Sequence, residues 1–230
     1  MSCRYTPNAN MSTSTRFDYT IKIILLGDHS VGKSSLLTHL AGIQDAKDMS
    51  YRCLNYRPNS HVELAMWKNG KRVLVRIVDT GGQERFRSIT ASFYRGTQGC
   101  LLMFDAEKID SFRHVYTWHA DLETYTNKHP MSTFLVGVNT QSQSKEVTTE
   151  QAERLATQLE MQFHELFLNK KSNAVDIIHA MLDKIIIHAS RLPSLTIDLI
   201  PQQIRPLFAD QARRSTILDQ SEKKIFQCSC

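Results

Sequence analysis

Short apolar runs alternate along this chain with segments whose apolar residues recur at helical spacing. Runs such as 99–104 and 133–138 are continuously apolar, which is typical of strands covered on both faces of a sheet. Two other segments alternate apolar and polar residues, and the Asn69-Gly70 pair between them predicts a tight hairpin turn. The predicted strands are 20–26, 61–67, 73–78, 99–104, 133–138 and, more weakly, 163–168.

Helices are predicted between these strands at 33–40, 111–127 and 149–160, and after the last strand at 174–189. This alternation predicts an α/β fold with a doubly wound, mostly parallel six-stranded sheet that has one antiparallel strand. Ligands of such folds bind at the carboxyl ends of the strands. The polar stretch 42–60 has no clear period, and we predict an irregular loop there.

Two of the helices carry further local signals. Helix 149–160 begins with a Thr-x-x-Gln pattern that resembles a capping box. In helix 111–127 the large apolar residues share one helical face, and we expect them to pack in the core. These residues are Phe112, Val115, Trp118, Leu122 and Tyr125.

Composition limits the class of protein. The chain has 230 residues and a net charge of +5, but its basic residues are scattered, so a nucleic-acid groove is not indicated, while contact with an anionic membrane stays open. Five cysteines without a disulfide or zinc spacing, and no signal or spanning segment, predict a cytosolic protein. We expect a flexible extension over 1–19, one domain over 20–190 and a flexible, proline-interrupted tail over 191–230.

A glycine-rich motif follows the first predicted strand and leads into the first helix. Its spacing, Gly, four residues, then Gly-Lys-Ser, lets backbone N–H groups surround the phosphates of a nucleotide. The lysine would contact the β- and γ-phosphates and the serine would bind Mg²⁺. A simple glycine turn is the alternative interpretation. The predicted phosphate-binding residues are Gly27, Asp28, His29, Ser30, Val31, Gly32, Lys33, Ser34 and Ser35.

A second motif, Asp79-Thr80-Gly81-Gly82-Gln83-Glu84, closes the second hairpin strand. Asp79 stands where a carboxylate would hold Mg²⁺ through water, so Ser34 and Asp79 are the predicted metal residues. The N–H of Gly82 would reach a γ-phosphate, and Gln83 would orient the attacking water as the catalytic residue. Taken alone, the same segment is compatible with a solvated loop.

The chain resembles a Rab-type small GTPase of the Ras superfamily over roughly residues 20–190. The likeness rests on segment 21–37, on Asp79 to Thr90 with its Gln-Glu-Arg-Phe-Arg-Ser-Ile-Thr sequence, and on Phe93-Tyr94-Arg95-Gly96. The resemblance implies a P-loop G-domain that binds GTP or GDP with Mg²⁺ and hydrolyses GTP slowly. It also implies a role in vesicle transport, with exchange factors, GTPase-activating proteins and effectors as partners.

The chain departs from the family in the first switch loop. Rab proteins have there a threonine that binds Mg²⁺ and senses the γ-phosphate. Counting back from Asp79 puts Tyr56 at that position and counting forward from Ser34 puts Arg52 there, while Ser50 and Ser60 are alternative hydroxyls. We expect weakened Mg²⁺ binding and weakened discrimination of the triphosphate.

The guanine-reading motif is also incomplete. The family's Asn-Lys-x-Asp corresponds to Asn139-Thr140-Gln141-Ser142, so the carboxylate that accepts two hydrogen bonds from guanine is missing. Asn139 is the predicted guanine-binding residue, with an exposed loop amide as the alternative. The family's Ser-Ala-Lys loop corresponds to 167–169, which keeps one backbone contact at most.

The chain ends in Cys228-Ser229-Cys230, which resembles the Cys-x-Cys terminus of Rab proteins. The resemblance implies geranylgeranylation of both cysteines by prenylation and escort machinery, and two lipid chains give stable anchoring. We therefore expect the cytoplasmic face of endomembranes, together with a cytosolic pool.

Two further functions compete with that of a switching GTPase. A pseudo-GTPase would keep the fold and the anchor but switch little, as the missing threonine and aspartate indicate. A metabolic kinase with the same phosphate loop would need a lid or a second substrate domain, and the sequence shows neither.

Overall fold

A computed structural model of the chain describes residues 17–42, 51–80, 94–126, 131–139, 145–168 and 172–191. Seven strands and five helices lie in these ranges. In chain order they are β1 (Tyr19–Leu26), α1 (Lys33–Gly42), β2 (Tyr51–Arg57), β3 (His61–Lys68), β4 (Lys71–Asp79), β5 (Gly99–Asp105), α2 (Ile109–Arg113), α3 (Val115–Thr126), β6 (Ser132–Asn139), α4 (Thr149–Gln158), β7 (Gln162–Phe167) and α5 (Ala174–Arg191).

The strands form one sheet in the order β2-β3-β4-β1-β5-β6-β7. Strand β3 is antiparallel to both of its neighbours, and every other neighbouring pair is parallel. The doubly wound α/β fold and its single antiparallel strand are therefore confirmed. The order reverses at β1, so the carboxyl end of β1 is where a doubly wound sheet binds its ligand.

The sheet has seven strands and not the predicted six, because β2 forms within the stretch predicted to be an irregular loop. A register shift between Cys53 and Asn55 interrupts the alternation of β2. The strand also lies at the edge of the sheet, where it buries only Tyr51 fully and needs few apolar residues. Both features remove the period-two pattern by which a strand is recognised in a sequence.

Alternate residues of the central strand β1 enter two separate apolar clusters. Ile21, Ile23 and Leu25 face the cluster covered by α1 and α5. Ile24 and Leu26 face the cluster covered by α3 and α4. Because β1 is buried on both faces, it holds the loop that follows it in a fixed position relative to both helical layers.

The single helix predicted over 111–127 is divided into α2 and α3 around His114. Val115 and Leu122 are buried as predicted, and Phe112 and Trp118 pack against the same cluster while remaining partly exposed. Nothing is described of the side chain of Tyr125. The capping box of α4 is confirmed, since the Thr148 side chain and Gln151 bond to each other's backbone N–H groups.

No helix within the described ranges is both long enough and apolar enough to cross a bilayer. The predicted extension over 1–19 lies outside those ranges except for residues 17–19, and the tail after Arg191 lies wholly outside them.

Three histidines link the stability of this fold to pH. Burial lowers the pKa of His39, His61 and His164 below the usual value of 6.5. The charge of Lys184 further lowers the pKa of His164, whose ring lies 4.6 Å from that of Phe134. The unfolded chain therefore binds protons that the folded chain rejects, and stability is lost as the pH falls from about 6.5 toward the folded-state pKa.

We predict that His164→Gln reduces this loss of stability, because glutamine takes up no proton in that range. Urea unfolding at pH 7.5, 6.5 and 5.5 measures the effect, and the stability of the variant should fall less steeply with acidification than that of the wild type. Equal slopes for the two proteins would contradict the assignment.

Candidate nucleotide-binding site

The loop between β1 and α1 has a backbone conformation that only certain residues permit. Gly27 and Gly32 have φ angles of 134° and 99°, and Ser30 between them has a φ of 62°. A Cβ at position 27 would lie 2.1 Å from the carbonyl oxygen of Met103 on β5, so only glycine fits there. The loop therefore folds back tightly over the carboxyl end of the sheet, as phosphate loops require.

Lys33 is the first residue of α1 and its side chain reaches back over the loop. Its Nζ donates to the carbonyl oxygens of Gly27 at 2.6 Å and Asp28 at 2.5 Å. Lys33 is only 5% exposed. A buried ammonium group at the amino end of a helix creates a site that favours an anion, and phosphate has the charge and the acceptor oxygens to bind there.

Ser34 and Asp79 form the predicted metal pair. The hydroxyl of Ser34 donates to Oδ2 of Asp79 over 2.5 Å, and Asp79 is 3% exposed. The register of β1 with β4 places Leu25 opposite Asp79, and the Thr80 hydroxyl donates to the carbonyl oxygen of Leu25. The sheet itself therefore brings the last residue of β4 to the start of α1.

These oxygen donors fit Mg²⁺. Magnesium takes one or two protein oxygens and completes its octahedron with phosphate oxygens and water. No cluster of three or more histidine, cysteine or acidic side chains suited to a metal occurs in the described ranges. Ser34 and Asp79 would hold the ion.

Asn139 and Leu168 lie on the side of the loop where the base would be read. Asn139 ends β6 and is buried, and a Cβ at Gly32 would lie 3.7 Å from Leu168. Asn173 fixes this edge of the site, because its side chain donates to the carbonyl oxygen of Glu165 and accepts from the N–H of Phe167. The burial of Asn139 does not support the alternative of an exposed loop amide.

The structure also locates the positions predicted for the switch threonine. Both Tyr56 and Arg52 lie within β2 and pair with β3. The Tyr56 hydroxyl is 2.7 Å from the Thr38 hydroxyl on α1. The carbonyl oxygen of Ser60 accepts from the N–H of Asp79, whereas the Ser60 hydroxyl lies 3.0 Å from Nδ1 of His61. Ser60 thus adjoins the metal pair through its backbone, and the other alternative hydroxyl, Ser50, lies outside the described ranges.

Val31, predicted to bind phosphate, is buried in the apolar cluster below the loop, and the other predicted residues fall into two groups. His29, Ser30 and Ser35 are exposed on the phosphate loop and the start of α1. Several predicted residues lie outside the described ranges: Gly82, Gln83, Thr140, Gln141, Ser142, Cys228 and Cys230.

Two residues beside the site were not predicted for it. The side chains of His114 and Trp118 bond to the carboxylate of Asp28 in the phosphate loop. The apolar pattern assigned Trp118 to the core alone, although a histidine and a tryptophan four residues apart share one helix face.

Comparison with known proteins agrees with this geometry. The Ras family model matches residues 22–187. The Ras-related protein RABD1 of Arabidopsis thaliana is 36% identical over 152 residues, covering 66% of this chain and 72% of that protein. The GTP-binding protein ypt2 of Schizosaccharomyces pombe is 35% identical over 158 residues, covering 67% and 75%. The Ras-related protein Rab-3C of Mus musculus is 30% identical over 173 residues, covering 75% and 74%.

A phosphate loop at the switch point of a doubly wound sheet, facing a carboxylate at the end of the neighbouring strand, defines a P-loop nucleotide-binding domain. The chain belongs to the Ras family. Its Rab-named relatives place it among the Rab-type small GTPases, which are GTP hydrolases that bind guanine nucleotides and act with regulators and effectors.

We predict that Gly27→Ala destroys the site. An added methyl group meets the carbonyl of Met103 and the φ of 134° is unfavourable for alanine, so the free energy of unfolding should fall by about 3 kcal/mol. Nucleotide binding should be lost, as measured by retention of a fluorescent GDP analogue. Gly42→Ala is the matched control, because a Cβ there meets nothing within 4 Å. Retention by Gly27→Ala at the wild-type level would contradict the loop geometry.

Proposed function

We propose that the protein is a lipid-anchored Rab-type switch that binds GTP and GDP with Mg²⁺, hydrolyses GTP slowly and acts in vesicle-mediated transport. The proposal of nucleotide binding rests on the hydrogen bonds of Lys33 to the carbonyl oxygens of the phosphate loop and on the bond between Ser34 and Asp79. Membership of the Ras family supports the remainder.

Each residue of the nucleotide site has a separate proposed role in hydrolysis. Backbone N–H groups of the loop and the Lys33 ammonium bind the phosphates, and Ser34 and Asp79 hold the metal ion. Mg²⁺ held by Ser34 and Asp79 would supply positive charge that offsets the negative charge of the phosphates. We assign Gln83 to orienting the water whose oxygen attacks the γ-phosphorus while the bond to the β-phosphate oxygen breaks. Gly82 would donate its N–H to the γ-phosphate.

One observation favours the alternative of a pseudo-GTPase that switches little. The segment expected to carry the switch threonine is paired with β3 over six residue positions, from Tyr51↔Met66 to Arg57↔His61. The backbone groups of β2 that face β3 are therefore already bonded, and binding of this segment to a γ-phosphate must compete with that pairing. Ser60 is the candidate to substitute for the threonine, because its backbone carbonyl bonds to the N–H of Asp79 and so places the residue beside the metal pair.

Base selectivity should be weaker than in the rest of the family. A carboxylate that accepts two hydrogen bonds gives strong selection for guanine, and no such residue stands in the Asn139 to Ser142 segment. Asn139 is buried at the end of β6 and would still contact the base.

We predict slow single-turnover hydrolysis of GTP, with XTP and ATP hydrolysed within about tenfold of that rate because the discriminating carboxylate is missing. Phosphate release from equal concentrations of each preloaded nucleotide measures this. Gln83→Leu should slow GTP hydrolysis about tenfold or more while nucleotide retention is unchanged.

The outcomes separate the two functions. Retention of nucleotide without release of phosphate, in the wild type and in Gln83→Leu alike, would establish the pseudo-GTPase. A preference for GTP above about a thousandfold would contradict the weakened base reading, because selection of that size needs a dedicated polar partner.

The proposal also includes a cellular localisation. Geranylgeranyl groups on Cys228 and Cys230 would anchor the protein to the cytoplasmic face of endomembranes, and prenylation and escort machinery would maintain a cytosolic pool. Exchange factors, GTPase-activating proteins and effectors are the proposed partners. The Rab-named relatives support this assignment.

We predict that the C-terminal peptide from native cells carries two geranylgeranyl groups, as mass spectrometry would detect. Replacing both Cys228 and Cys230 by serine should move the protein from the membrane fraction to the soluble fraction, since two chains supply the stable anchor. Replacing Cys3, at the other end of the chain, is the control. Unmodified peptide throughout would contradict the anchor.

A further inference from the structure

The carboxylate of Asp28, in the phosphate loop, is held by two donors: Trp118 on α3 and His114, which lies between α2 and α3. Trp118 donates its Nε1–H to Oδ1 over 2.8 Å, and Nδ1 of His114 lies 2.6 Å from Oδ2. An ionised carboxylate only accepts hydrogen bonds, so His114 must carry its proton on Nδ1. Both oxygens of Asp28 are therefore occupied by residues more than 80 positions away in the chain.

The backbone of the same residue belongs to the phosphate site. The carbonyl oxygen of Asp28 accepts from Lys33, and the preceding Gly27 is packed against Met103. The loop is thus fixed on one side by β5, on the second by Lys33, and on the third by His114 and Trp118. Of these three restraints, only the third comes from side chains outside the P-loop motif.

A carboxylate in this loop needs such a restraint for an electrostatic reason. Asp28 places a negative charge within a segment that surrounds the charged phosphates of a nucleotide, and like charges at short distance repel. The hydrogen bonds from Trp118 and His114 fix the carboxylate on the side that faces α3. They also compensate for its partial burial, since the Asp28 side chain is only 26% exposed. Core packing of the Trp118 ring alone does not require its N–H to meet a carboxylate.

We propose that Trp118 and His114 are positioning residues of the nucleotide site: they hold the phosphate loop in its binding conformation and so slow nucleotide release. The inference rests on the proposed function, in which this loop binds GTP and GDP. It adds two residues that no phosphate-loop motif contains, and it makes the position of α3 a determinant of how long nucleotide stays bound.

The test compares variants of the full-length chain. Trp118→Phe keeps an aromatic ring in the core but removes the donor, and we expect dissociation of a fluorescent GDP analogue to become roughly three- to tenfold faster. His114→Ala should speed dissociation by a smaller factor, because His114 is 56% exposed, and His114→Gln, which keeps a donor, should restore a rate near that of the wild type.

Tyr116→Phe is the matched control. Tyr116 lies on the same helix and its hydroxyl also donates one hydrogen bond, to Gln158 on α4, away from the loop. The Tyr116→Phe variant should therefore release the fluorescent GDP analogue at a rate within about twofold of the wild type. If Trp118 had a purely structural role, Trp118→Phe would lower the midpoint of thermal unfolding without selectively speeding nucleotide dissociation. Thermal unfolding is therefore measured for every variant.

A second readout needs no nucleotide. Hydrogen exchange of the amides of residues 27–33 in the nucleotide-free chain should be faster in Trp118→Phe than in the wild type and unchanged in Tyr116→Phe. Unchanged exchange, or unchanged dissociation from a wild type that does retain nucleotide, would overturn the positioning role. Failure of the wild type to retain nucleotide would instead overturn the proposed function, and hydrogen exchange would still decide whether these residues hold the loop.

Discussion

The close approach of Gly27 to the carbonyl of Met103 is the constraint on which the candidate site depends. It joins the end of β1 to β5 with no space for a side chain, and it turns the chain so that the next residues fold over the sheet. Lys33 can then reach back to the carbonyls of Gly27 and Asp28. If this contact opened, the ammonium group would lose its acceptors and α1 would begin in another position.

The sheet supplies the second half of the site through its register. Parallel pairing of β1 with β4 places Leu25 beside Asp79, so a carboxylate from a distant part of the sequence meets the hydroxyl of Ser34. Residues of β1 enter apolar clusters on both faces, and any shift of the strand would therefore disturb both. The geometry of the polar site is in this way fixed by apolar packing beneath it.

Most of the fold and the position of the glycine-rich loop were predictable because their signals are local. Continuous apolar runs marked β5 and β6, and the glycine spacing marked the phosphate loop. Strand β2 was missed because edge position and a bulge remove its alternation. The bonds from Trp118 and His114 to Asp28 were missed for a different reason: they join residues far apart in sequence, and only the packing of α3 beside the loop brings them together.

Strand β2 is the structural feature that favours the proposed alternative, in which the chain keeps its nucleotide site but switches little. Its pairing with β3 and the bond between Tyr56 and Thr38 stabilise a conformation in which the segment is bound to the chain itself. A nucleotide shifts that equilibrium only by its difference in affinity for the two conformations. Without the threonine, a γ-phosphate makes one fewer contact with the released segment. The hydrogen bonds of Lys33 to the phosphate loop and of Ser34 to Asp79 do not use that threonine position. The sequence departs from its family in two places: the segment expected to switch lacks its threonine, and the guanine-reading segment lacks its aspartate. The first loss should weaken the response to a γ-phosphate, and the second should weaken the selection of the base.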